Sequence, residues 1–70
     1  MKLDEVIKAT RNRLNYSKNC LGDINGFIEL NKEVISNECK NFISSEMSRY
    51  EKNIEYYSAI LEILESEGDK

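Results

Sequence analysis

Residues 43–64 read ISSEMSRYEKNIEYYSAILEIL. Within them Ile43, Met47, Tyr50, Ile54, Tyr57, Leu61 and Leu64 follow one another at spacings of 4, 3, 4, 3, 4 and 3. Spacing of this kind brings apolar side chains back to one stripe of a helix, the seam along which two helices pack. With Met47, Ile54 and Leu61 at position a of a heptad, Ile43, Tyr50, Tyr57 and Leu64 fall at d. The pattern predicts a helix over about 42–66, ended by Gly68 in a left-handed cap.

Upstream, Ile7, Leu14, Leu21, Ile28 and Ile35 recur every seven residues and share position a. The matching d positions are Leu3, Thr10, Ser17, Ile24 and Asn31, a more polar set. This predicts a first helix over about 3–36. The heptad phase is lost between Phe42 and Ile43, and Asn37 and Asn41 suit a turn, so the turn is expected at about 37–41. Folding the chain there pairs residues whose numbers sum to 78. Ile35 then meets Ile43, Ile28 meets Tyr50, Ile24 meets Ile54, Leu21 meets Tyr57, and Leu14 meets Leu64. Every layer sets an a residue against a d residue.

The fold class that follows is all-α, with residues 1–70 as one helical domain. Its core is a long antiparallel helical hairpin, coiled-coil-like, that dimerises into a four-helix bundle. The alternative is a three-helix bundle broken at Gly22-Asp23-Ile24-Asn25-Gly26. Two glycines in five residues cost about 2 kcal/mol in a helix interior. In the heptad, however, Gly22 and Gly26 lie at b and f, on the outer face.

Composition narrows the chemistry. The chain has 70 residues, no His, no Pro, no Trp and two Cys. A chain this short buries little of its surface and usually needs a disulfide, a metal or self-association. Without His, and with Cys20 and Cys39 far apart in sequence, the usual zinc-ligand spacing is missing, so no metal and no cofactor is expected. Both cysteines are expected as free thiols. The formal charge of −3 is uneven. Residues 1–35 carry six Lys/Arg and five Asp/Glu, whereas residues 36–70 carry four and eight. An acidic second half argues against binding a nucleic-acid backbone. The charged N-terminus and the lack of a long apolar run predict a cytoplasmic protein with no membrane partner.

The flanks of the seam differ from each other. One flank carries Asp4, Arg11, Lys18 and Lys32 on the first helix and Glu51 and Glu65 on the second, with Arg11 expected opposite Glu65. The other carries Val6, Ala9, Tyr16, Cys20, Phe27, Leu30 and Val34 on the first helix and Tyr56, Ile60 and Ile63 on the second. A two-helix hairpin cannot bury this second set, because its own seam is already filled. Val6, Tyr16, Cys20, Phe27, Leu30, Val34, Tyr56, Ile60 and Ile63 are therefore the expected self-association or partner interface. Glu51, Glu55, Glu62 and Glu65 form an acidic face suited to a basic partner.

No residue pattern specifies a reaction. The glutamates lie outside the seam without His, and Ser44, Ser45 and Ser48 have no base beside them. The expected function is a non-catalytic protein–protein interaction module. It would be a small self-associating regulator or inhibitor of a larger protein, of the kind a phage or mobile element directs at a host enzyme. A structural subunit of a larger assembly is the plainer alternative. A further alternative comes from the stretch Ser17-Lys18-Asn19-Cys20-Leu21, which resembles the Ser-Gln-Glu-Leu-Asp signature of small bacterial helical hairpins that dephosphorylate response regulators. The resemblance implies a phosphatase-like regulator of a phosphorylated signalling protein. It covers five residues, and Leu21 stands where the family's aspartate belongs.

Overall fold

The computed structural model describes residues 2–68. Two α-helices, α1 (Leu3–Asn31, 29 residues) and α2 (Asn37–Gly68, 32 residues), pack against each other as a hairpin. No strand occurs among the described residues. At about 1.5 Å per residue α1 is about 44 Å and α2 about 48 Å long. The molecule is a rod of 53 × 17 × 15 Å. Its radius of gyration is 15.9 Å, against about 11 Å for a compact chain of this length.

The turn lies at 32–36, five residues earlier than the expected 37–41. Residues 37–41 are instead the first turn of α2, and α1 stops at Asn31 rather than near 36. Local hydrogen bonds give the reason. The Asn31 side-chain amide reaches back to the Phe27 carbonyl at 2.9 Å, and the Asn31 carbonyl takes the amides of Val34 and Ile35 at 3.0 and 3.1 Å. Ser36 then caps α2: its Oγ accepts from the Cys39 amide at 3.1 Å. Glu38 sits in the first turn, where the positive end of the helix dipole favours it. The far end of α2 also differs from expectation. Gly68 is the last helical residue and has no positive φ, so no left-handed cap forms there.

The three-helix alternative is overturned. α1 runs unbroken through Gly22 and Gly26, and no described glycine has a positive φ.

Moving the turn moves the register. Ile24 lies with Ile43 in one stretch of the inter-helix groove, and Ser17 with Tyr50 in the next. A sum of 78 would instead set Ile24 beside Ile54 and Ser17 beside Leu61, and neither of those α2 residues lines these stretches. Thr10 shares a third stretch with Tyr56, Tyr57 and Ile60. At the open end, Leu3 Cδ2 lies 3.6 Å from where a Cβ on Gly68 would stand. A turn placed five residues earlier lowers the sum of paired numbers by about ten, close to three helical turns. The same faces therefore meet, but each layer has new partners. The small d residues of α1, Thr10 and Ser17, lie beside the large d residues Tyr57 and Tyr50. They are the most enclosed polar residues in the hairpin, with Ser17 only 2 % exposed. The Thr10 hydroxyl donates to the Val6 carbonyl at 2.8 Å. Leu14 is the one apolar side chain buried among the described residues.

Candidate functional site: the open side of the hairpin

Beside the half-buried seam, a second set of apolar side chains lies on the g and c positions of both helices, along one side of the rod. Near the open end Val6, Ala9 and Thr10 of α1 face Tyr56, Tyr57 and Ile60 of α2 across a shallow groove of about 440 Å³. The groove continues past Ala9 and Arg13 into a central stretch of about 530 Å³, where Tyr16 and Asn12 face Tyr50 and Asn53. Tyr50 carries it into a stretch of about 290 Å³ near the turn, formed by Asp23, Ile24 and Phe27 against Phe42, Ile43 and Glu46. The stretches share Ala9, Arg13, Tyr50 and Tyr57, so they form one surface.

The expected interface residues divide by position. Val6, Tyr56 and Ile60 come together at the open end, and Tyr16 sits in the centre. Phe27 lines the turn end. Leu30 and Val34, 86 % and 80 % exposed, stand beyond the groove where the chain turns. Ile63 is exposed, whereas Val6, Ile60 and Cys20 are half-buried. Phe42, 70 % exposed and beside Phe27, was missed by the sequence reading. Its signal was available, because it precedes Tyr56 by two heptads and so shares position c. Placing the turn at 37–41 hid it.

The centre of the groove is polar and aromatic. Arg49 stacks on Tyr50 with its guanidinium carbon 5.2 Å from the ring centroid, and it pairs with Glu46 at 3.1 Å. Hydrogen bonding to Tyr50 and the Glu46 charge raise the Arg49 pKa above its ordinary value. The Tyr16 phenol is also raised, first by its hydrogen bond with Cys20 one turn along the helix and then by the charges of Cys20 and Tyr50. A tyrosine acting as a base needs the opposite shift. Tyr56 and Tyr57 meet edge to face with centroids 5.4 Å apart. These contacts fix aromatic rings at a surface, which suits packing against another protein.

On the opposite flank, Glu51, Glu55, Glu62 and Glu65 are all exposed. Glu65 pairs with Arg11 at 2.8 Å, the pairing expected from sequence, so three of the four are the more available to a partner. With both side chains about half exposed, the ion pair contributes only a few tenths of a kcal/mol. Cys20 and Cys39 are both free and half-buried, and Cys39 lies in the first turn of α2. Among the described residues no group of three or more Cys, Asp or Glu could hold a metal ion. Among the described residues no helix is long and apolar enough to cross a membrane. In the stretch resembling the phosphatase signature, Ser17 is enclosed and Cys20 and Leu21 are half-buried, which leaves Lys18 and Asn19 in water. No protein-family model, curated protein or solved structure matches this chain.

Proposed function

We propose that this chain is a non-catalytic protein–protein interaction module, a small self-associating regulator or inhibitor that docks on a larger protein. One observation carries the reading: Tyr16, Phe27, Leu30, Phe42, Tyr56 and Ile63 stand in water along one side of a hairpin whose own core holds a single buried leucine among the described residues. A folded chain of 8.2 kDa is expected to expose about 4,500 Å². This one exposes 5522 Å², an excess of about 1,000 Å². A stable dimer hides about 800 Å² on each partner, so a second copy seated on the open side accounts for the excess. At roughly 25 cal/mol per Å², burying a few hundred Å² of apolar surface rivals the entire stability of a domain this size.

Sedimentation equilibrium tests this directly. The wild type is expected to dimerise at micromolar concentration. Phe27→Glu buries a charge in the interface and weakens association at least tenfold while leaving the exposed hairpin helical. A well-folded wild-type monomer of about 8 kDa at that concentration would sink the reading.

The larger partner is assigned to the acidic flank, which self-association on the open side leaves free. Glu51, Glu55 and Glu62 suit a basic surface, as on a host enzyme targeted by a phage-encoded inhibitor. Attraction between exposed charges is screened over about 10 Å at 0.1 M salt. Binding to the partner captured from the native host is therefore expected to weaken as salt rises from 0.05 to about 0.5 M. Affinity that stays constant over that range would assign the partner to an apolar surface instead.

A further inference from the structure

The open side is complementary to itself in one arrangement. Along α1 its g and c residues run Val6, Ala9, Arg13, Tyr16, Cys20, Asp23, Phe27 and Leu30. Two such helices laid antiparallel, so that residue numbers sum to 36, match layer by layer. Val6 faces Leu30 of the second copy, Ala9 faces Phe27, Arg13 faces Asp23, and Tyr16 faces Cys20. Small residues meet large ones, and each of the two Arg13–Asp23 layers joins opposite charges. Sliding by one heptad destroys the match. A sum of 29 puts Asp23 against Val6, and a sum of 43 puts Arg13 against Leu30.

The other twofold arrangement sets turn over turn, with α1 of one copy on α2 of the other. Asp23 and Glu46 line the same stretch near the turn, at the same level of the hairpin. Turn over turn would bring Asp23 of each copy onto the Glu46–Arg49 pair of the other, already neutralised, and would set Arg13 against Asn53 and Tyr57, where it meets no carboxylate. Arg13 and Asp23 are both exposed, and neither makes an ion pair within the hairpin among the described residues. Their charges remain available to a second copy.

We propose that the second copy sits antiparallel on the open side, turn end over open end and α1 on α1, with reciprocal Arg13–Asp23 pairs fixing the register. This rests on the self-association reading above and adds its geometry. The test is a charge swap read by sedimentation equilibrium at about 0.05 M salt, with circular dichroism confirming helicity. Arg13→Asp and Asp23→Arg each create two like-charge contacts per dimer, so each is expected to weaken dimerisation by about tenfold. The double variant, Arg13→Asp with Asp23→Arg, restores opposite charges and should return to within about threefold of wild type. A wild type that dimerises while the single variants match it, or a double variant as weak as the singles, overturns the register and leaves self-association standing. A wild type that stays monomeric at about 100 µM overturns both.

Discussion

Replacing Ser17 with leucine destabilises the hairpin by about 1–3 kcal/mol, seen as a lower midpoint in urea denaturation at matched protein concentration. Ser17 is 2 % exposed and lies with Tyr50 and Tyr57 where the helices meet. A serine there leaves room for two aromatic rings. Leucine adds two heavy atoms at a position only 2 % exposed, so either the tyrosines leave their positions or the helices part. The sign of the effect distinguishes the two registers. With pairs summing to 78, Ser17 is a polar gap opposite Leu61, and leucine would complete the seam and stabilise. Ser17→Ala is the control: it keeps the volume small and gains helix propensity, so stability should change by about 0.5 kcal/mol or less. A stabilising Ser17→Leu would refute the placement of Ser17 beside Tyr50 and Tyr57.

Replacing Gly22 and Gly26 together by alanine is expected to act in the other direction, with a gain of about 1.5–2 kcal/mol. Both residues are helical without positive φ, and a Cβ at either site meets nothing within 4 Å. Alanine costs no contact there and removes backbone freedom from the unfolded chain, worth about 0.8–1 kcal/mol at each site. For a domain of this size each kcal/mol raises Tm by about 4–8 °C, so the pair should add about 6–16 °C. Thermal unfolding followed by circular dichroism checks it. A fall in Tm would mean that the chain bends at Gly22–Gly26 and needs the glycines for it. Because b and f point away from the open side, the double variant should dimerise like the wild type.

Much of the candidate site was readable as pattern. The seven-residue recurrence from Ile7 to Ile35 and the alternating steps from Ile43 to Leu64 set which stripe of each helix faces the other. Everything one position away on the g and c side was thereby left outside. Tyr16, Phe27, Leu30, Val34, Tyr56 and Ile63 are exposed for that reason. The turn was harder to place because several short polar residues compete for it. Asn37 and Asn41 fit a turn by type, but Ser36 three residues before the Cys39 amide is what caps α2. Phe42 was lost with the same error, since a residue placed beside a turn is not counted on a face.

The sequence by itself determined the two helices and the faces they turn toward each other, because a heptad repeat fixes rotation about a helix axis. It did not determine how far one helix slides along the other. A slide of about three full turns returns every face to its place, so both registers satisfy the periodicity. Only the folded chain decided between them. The Ser36 cap and the Asn31 carbonyl close the turn at 32–36. A turn five residues earlier brings Ile24 beside Ile43 and sets Ser17 and Thr10 beside tyrosines that their small side chains can accommodate.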